Sequence, residues 1–470
     1  MRKKFSNKFI GCGLEKVHRK IMTGVSLLFS GLFVISSCTD DIEDSQTTKS
    51  LEKSVDGLNL RALYSENHVI PVNEAREIAL KAVDMFSGGS TRSYNKVIES
   101  LGVYSRPSCS PTTRSMSEDT MLYVFNFENN GGFAIVSADD RIPTQILAYV
   151  EEGSLENEVE NPGLFYALEQ LQDYAEYSIE EFEKSKDSLL KVAEDNSFVV
   201  DVNKLQTRTV YTGTSYEYLS ESTVGPLISV TWGQGSPYNM YVETVCPNNS
   251  GGKAPVGCVA TATAQIMSYW KYPSTLNQYS MNWTSMCSTM IPTESNKSNI
   301  ARLMREIGRE VNMSYGCNGS GAQTSDAYEF LSRIGYHKYF SGDFNVTSAK
   351  SAIDLSRPLL VKGCGTKTTS GRLWNKKTTY SDCHAWVIDG YKTVHYKQDN
   401  YRIDTNTGSY TSNISYVDEY YFHNNWGWEG NGNGYFAAGC FDLRNAYEYD
   451  QTTSSSYNFQ YKNQMFCVYR

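Results

Sequence analysis

Beyond its first twenty residues this chain has no concentrated basic block, and the charge balance runs the other way. Lys and Arg number 43 against 52 Asp and Glu, a net charge of −9. Such a surface offers nothing to a phosphate backbone, so a nucleic-acid partner is excluded. A phosphate cradle is also missing. Gly316 to Gly321 is glycine-rich, yet no Gly-Lys-Ser/Thr ends it and no clear strand leads into it. Zinc spacings are absent too: with no Cys-x-x-Cys and no His-x-x-x-His, His384, His423 and the nearby cysteines form no metal set. No metal and no cofactor are expected. His423 reads as a structural strand residue. Tyrosine, by contrast, is abundant, 34 against 19 phenylalanines, which suits a wet, polar, secreted protein.

The one notable apolar run, Ile21 to Ser37, follows a basic start and ends Val34-Ile35-Ser36-Ser37-Cys38. A positive flank, a short hydrophobic region and small residues before a break describe an export signal rather than a membrane span. The run before Cys38 resembles a bacterial lipobox, in which that cysteine becomes the lipidated first residue. Residues 1–38 are therefore expected to be a lipoprotein signal, with membrane contact only through a lipid on Cys38. Asp40, Asp41, Glu43 and Asp44 follow, similar to signals that send some lipoproteins to the outer surface. The expected location is the cell envelope, with the mature domain anchored or released.

At 470 residues the chain is long enough for two or three domains. Residues 39–206 carry no candidate catalytic set. Asn73 is placed to cap a helix with Ala75, Ile78, Ala79, Ala82, Val83 and Phe86 on one face. Met121 to Phe127 and Gly132 to Ala138 read as a hairpin turning at Glu128-Asn129-Asn130-Gly131. Asn161-Pro162 opens another helix, with Leu164, Leu168, Leu171 and Ala175 inward. The segment is a folded α+β unit. The flexible, charged stretch around Asp201 to Thr209 is the best boundary. Thr-Arg before Ser or Thr recurs at Arg92, Arg114 and Arg208, which marks Arg208 as a candidate cut for a trypsin-like protease.

In the remaining segment, 207–470, Val259, Thr263, Ile266 and Trp270 recur at helical spacing, and Pro273 ends the run. Cys258 stands in the first turn, where unpaired N–H groups and the helix dipole favour a thiolate. Its own N–H can meet an oxyanion, and Gln234 upstream offers an amide as a second donor. Downstream, His384 begins an apolar strand-like run, and Asn425 stands beside Trp426 and Trp428. A cysteine attacking a carbonyl needs a base, and imidazole titrates in the right range. The imidazole needs an orienting partner, which an asparagine oxygen can be. Asp389 ranks second for that role.

The blocks Gly257-Cys258-Val259-Ala260-Thr261-Ala262-Thr263-Ala264-Gln265-Ile266-Met267, His384-Ala385-Trp386-Val387-Ile388-Asp389-Gly390 and Asn425-Trp426-Gly427-Trp428 resemble the streptopain-type cysteine peptidases, papain-like enzymes made as inactive precursors. The resemblance implies Cys258 as nucleophile, His384 as general base, Asn425 as the histidine's orienter, Gln234 as oxyanion donor and Trp426 as a shield of the His–Asn contact. The stretch from Gly132 to Arg141, continuing to Tyr149, resembles the inhibitory prodomain of the same peptidases, so residues 39–206 are expected to inhibit the peptidase domain 207–470 until cut.

Asn296 to Val311 is amphipathic, and Ser325 is placed to cap a helix through Ile334. Pro358 to Val361, His384 to Ile388, Tyr416 to His423, Gly434 to Ala437 and Met465 to Tyr469 read as strands. Helices first and strands later match the two-lobed papain plan: α+β, a helical lobe plus an antiparallel sheet lobe, behind an α+β prodomain. Eleven cysteines are present, and spacing fixes no disulfide among them. Cys383, beside His384, is open to inert packing or to oxidation that dampens activity. The function expected is a secreted cysteine endopeptidase made as a zymogen, acting on protein or peptide substrates. Its own prodomain is the inhibitor, and the chain itself or a trypsin-like protease is the activator. A thiol acyltransferase and a catalytically silent surface-binding protein are the rivals from other classes.

Overall fold

A 28-residue strand, Lys377–Asp404, is the axis of the molecule. The computed structural model describes residues 3–4, 59–87, 96–105, 120–155, 158–195, 210–288, 294–370, 377–404, 407, 409–442 and 463–470. Cys38, Cys109, the three Thr-Arg repeats and the boundary at Arg208 lie outside the described residues.

The main sheet has eleven strands: β1 (Ile98–Ser105), β2 (Thr120–Phe127), β3 (Phe133–Ser137), β4 (Ile146–Val150), β5 (Val210–Val224), β6 (His337–Asp343), β7 (Leu359–Ser370), β8 (Lys377–Asp404), β9 (Ser409–Asn425), β10 (Gly434–Ala437) and β11 (Gln464–Tyr469). Across the sheet they run β6-β11-β7-β8-β9-β10-β4-β3-β2-β1, all neighbours antiparallel. The early part of β8, Lys377 to Ile388, pairs with β7; the later part, Tyr391 to Asp404, pairs with β5. Strand β9 takes the opposite edge. Gly434, Tyr435 and Phe436 of β10 pair with Val150, Tyr149 and Ala148 of β4, so the sheet continues from the N-terminal unit into the C-terminal one. The fold is α+β. Strands β7, β8 and β9 run well past the short apolar segments predicted for them.

Five helices matter for the site: α1 (Val72–Phe86), α2 (Pro162–Asp195), α3 (Cys258–Trp270), α4 (Glu294–Glu310) and α5 (Thr324–Arg333). Two of the caps expected from the sequence differ. Pro71 occupies the cap position of α1, its φ of −58° already suited to a helix, and Asn73 lies inside the first turn. Helix α5 begins at Thr324 after Gln323, so Ser325 is likewise inside it. The Asn161 cap is present: its Oδ1 accepts the N–H groups of Gly163 (2.9 Å) and Leu164 (3.2 Å). Its Nδ2 donates to the Asn431 carbonyl at 2.6 Å, which ties the start of α2 to the turn after β9.

Alternation along β8 sorts its side chains between two cores. Ala385 and Val387 pack with Leu360, Val468 and the apolar faces of α3, α4 and α5. Trp386 and Ile388 pack on the other side with Leu359, Val361, Phe422, Trp426 and Phe436, beneath Leu164, Leu168 and Leu171 of α2. Burying each of those three leucines contributes roughly 1.5–3 kcal/mol, so the grip of α2 on the sheet is mainly apolar.

Candidate active site

Cys258 is the first residue of α3, a free thiol with part of its surface open. The preceding Gly257 sits at φ +93°, and a Cβ there would stand 2.7 Å from the Met313 sulfur and 3.0 Å from the Ser320 carbonyl. Only glycine turns the chain into the helix at this point. The backbone N–H groups of Ala385, Val259 and Cys258 itself lie near enough to the sulfur to favour its thiolate. Burial nevertheless outweighs them and pushes the thiol above its ordinary range. The helix-start N–H groups of Cys258 and Val259 thus act in the direction expected from sequence, and burial in the closed molecule more than offsets them.

His384 is buried on β8 and lies nearly parallel to Trp386, with ring planes 11° apart and centroids separated by 6.3 Å. Both face the core covered by α2. The Nε2 atom is 3.0 Å from the Trp426 carbonyl; a carbonyl only accepts, so Nε2 carries the proton. Burial lowers the imidazole to about 4, against the smaller raising effect of that carbonyl. Helix α2 touches the ring through Gly163, where an added Cβ would stand 2.8 Å from His384 Nε2 and 2.7 Å from Trp426 Cε3. With the thiol raised and the imidazole lowered by burial, the closed molecule disfavours a thiolate–imidazolium pair.

Asn425 is buried and turned to other partners. Its Nδ2 donates to the Val230 carbonyl at 2.8 Å. Its Oδ1 accepts from Gln265 Nε2 at 2.9 Å and from the Gly427 N–H at 3.3 Å. Among the described residues no hydrogen bond joins His384 to Cys258 or to Asn425; the histidine is held one residue along, by the Trp426 carbonyl. The Trp426 indole donates to the Gly432 carbonyl at 2.8 Å and packs against Trp386 and Phe436.

Gln234 is buried, and its carbonyl accepts the N–H of Val256 at 3.0 Å, two residues before Cys258. A Cβ on Gly427 would stand 2.9 Å from Thr261 Cγ2, which sets the turn after Asn425 directly on α3. Helix α3 thus gathers the Gln234 segment, the Asn425 turn and, through Ala385, the strand carrying His384. Asp389, the second-ranked histidine partner, belongs instead to His423: Oδ1 lies 2.6 Å from His423 Nδ1, while Oδ2 accepts the Ile228 N–H at 3.0 Å. Cys383 is no free thiol. It forms a disulfide with Cys364, one residue from the Gly363–His384 pair of β7 and β8, and a second disulfide joins Cys246 to Cys317. His68, Asp139 and Asp140 bring their ligand atoms within 4.8 Å, but Arg141 chelates Asp139, and Arg61 and His68 engage Asp140. That group is an ion-pair cluster.

Sequence reasoning passed over Gly163, Gln265 and the Trp426 carbonyl. Gln265 left a signal, a polar residue seven places after Cys258 on the same face of a buried helix.

Comparison with known proteins gives the class first. Residues 232–436 match the Peptidase C10 family and residues 67–175 match the Spi protease inhibitor. The chain thus carries a Peptidase C10 cysteine-protease domain behind a Spi-type propeptide inhibitor domain, consistent with a zymogen. Among individual proteins, it is 28% identical over 360 residues to streptopain of Streptococcus pyogenes serotype M1, covering 67% of this chain and 73% of that protein. It is 25% identical over 357 residues to the thiol protease/hemagglutinin PrtT of Porphyromonas gingivalis, covering 68% of this chain and 34% of that protein.

Proposed function

We propose that the closed molecule is the latent form of an endopeptidase whose site is Cys258, His384, Asn425 and Gln234. The observation that carries this reading is that Cys258 packs against the core that holds Ala385, because it puts the neighbour of the imidazole already beside the nucleophile. Latency follows from the closed arrangement: α2 holds the imidazole under Gly163 with its Nε2–H on the Trp426 carbonyl, and burial of Cys258 disfavours its thiolate.

Once α2 leaves, His384 is free to turn toward the sulfur and to pass its N–H from the Trp426 carbonyl to Asn425 Oδ1. The imidazole then takes the thiol proton, and the thiolate adds to the scissile carbonyl. The Cys258 N–H and the Gln234 amide hold the oxyanion. The imidazolium gives its proton to the leaving amine, which leaves a thioester. Water, deprotonated by His384, cleaves the thioester to release the acid and restore the thiol.

The supporting architecture is a papain-like pair of lobes, with α3 to α5 as the helical lobe and β7 to β11 as the sheet lobe. Residues 1–38 act as a lipoprotein signal ending at Cys38, 39–206 as the prodomain, and 207–470 as the peptidase domain, separated by a cut after Arg208 made by the enzyme itself or by a trypsin-like protease. Export to the cell envelope on a lipid anchor accounts for the basic, apolar, small-residue order of the leader. The test follows wild type and Cys258→Ala by gel over time. The wild type should shorten to a chain starting near Thr207 and degrade added protein, with the variant staying full length and inactive. A Cys258→Ala chain that degrades substrate as fast as wild type would end this reading.

A further inference from the structure

The amide of Asn425 is symmetric in shape and asymmetric in chemistry. Something must set which end of it presents an acceptor. Two main-chain carbonyls do so. The Val230 carbonyl can only accept, so the atom 2.8 Å from it is the Asn425 nitrogen, and the oxygen faces Gln265. The Trp232 carbonyl, 3.3 Å from the Gln265 amide, fixes that amide in the same manner, with its nitrogen turned to both Trp232 and Asn425 Oδ1. Gln265 is fully buried on α3, and its own Oε1 has no hydrogen-bond partner among the described residues. A buried amide left with an unpaired acceptor is a cost. What it secures in return is a donor on the one atom that the proposed mechanism needs as an acceptor.

We propose that Gln265 is a positioning residue for the hydrolysis: its amide locks the Asn425 side chain with the oxygen presented, ready for the His384 N–H. This rests on the reading of Cys258, His384 and Asn425 given above. Asn425 Oδ1 has two lone pairs. In the closed molecule they serve Gln265 at 2.9 Å and the Gly427 N–H at 3.3 Å. The longer bond is the one to be exchanged for His384, and the Gln265 bond stays.

The experiment uses the full chain matured with a small amount of added trypsin and compares peptide hydrolysis across pH. Gln265→Leu keeps the volume and removes the donor; kcat should fall ten- to a hundredfold with KM within about threefold, because the Asn425 amide loses its preferred orientation. The acidic limb of kcat/KM should move to lower pH, since an imidazolium without its acceptor loses its proton more readily. Gln265→Glu gives a second, independent reading: a protonated carboxyl donates to Asn425 Oδ1 and an ionised one repels it. Activity of this variant should therefore rise as pH falls, where wild type declines, and this arm decides the matter if the leucine variant does not fold. Asn425→Ala and the double variant Asn425→Ala/Gln265→Leu should be equally slow. Wild-type kcat and pH profile in both Gln265 variants, or additive losses in the double variant, would overturn the proposal. Cys258→Ala runs alongside: hydrolysis surviving in it would overturn the underlying site assignment instead.

Discussion

A Cβ atom placed on Gly163 would stand 2.8 Å from Nε2 of His384, so the second residue of the inhibitor-domain helix is the lid on the imidazole. Asn161 aims it there, capping the helix while holding the Asn431 carbonyl of the turn beyond Trp426. The two contacts make the inhibitor domain sense the position of one ring.

Enlarging Gly163 should spoil latency. Gly163→Leu has no backbone obstacle, but its side chain must push either the helix or the imidazole aside, at about 1–3 kcal/mol. That corresponds to roughly a five- to hundredfold larger population of the open precursor. The full-length chain should mature correspondingly faster than wild type at equal concentration, read from the half-life of the precursor band. An unchanged half-life would mean the Gly163 contact plays no part in inhibition.

Acid should loosen the closed form through His384. Inside, the imidazole is lowered to about 4; outside, it titrates near 6.5. The neutral buried ring therefore contributes its full stabilisation above about pH 6.5. The open form takes up a proton first as pH falls, and the contribution, roughly 3 kcal/mol at most, is lost by about pH 4. Asp173 and Glu419 pull the other way, since burial raises both to about 7 and stability from them grows as pH falls. The difference between two unprocessable chains isolates the histidine. Urea midpoints of Cys258→Ala should fall between pH 6.5 and 4 by more than those of Cys258→Ala/His384→Gln. Parallel pH curves would mean that His384 is not the titrating group. Three buried leucines on the same helix outweigh this effect, so acid alone should not release the inhibitor domain.

Cys364 and Cys383 clamp β7 to β8 next to His384. The loop they close spans a sequence separation of 19, for which a disulfide contributes about 3 kcal/mol. Mapping of unreduced protein should recover the two residues in one linked peptide, and Cys364→Ser/Cys383→Ser should lose about that much stability in urea. Alkylation of both thiols before reduction would contradict the pairing.

Much of the site could be read from residues, and its state could not. Helix α3 was legible because Val259, Thr263, Ile266 and Trp270 repeat at helical spacing and Pro273 follows them. The Asn161 cap was legible as well. The reach of β8 to Asp404 was not: beyond Gly390 its polar and tyrosine-rich sequence takes strand form through pairing with β5 and β9, which no local pattern announces. The side of the sheet on which His384 rests depends on parity from Trp386 together with the packing of α2, and that packing is a long-range fact. Likewise the partners of Asn425 come from Val230 and Gln265, 195 and 160 residues away along the chain.

Peptide mapping after treatment with an epoxide inhibitor of cysteine proteases tests the central claim most directly, on the full-length chain and on the matured one. The account predicts a covalent adduct on Cys258 in the matured chain, almost none in the full-length chain, and none in matured His384→Ala. Equal labelling of Cys258 in full-length and matured protein, or full labelling without His384, would contradict it.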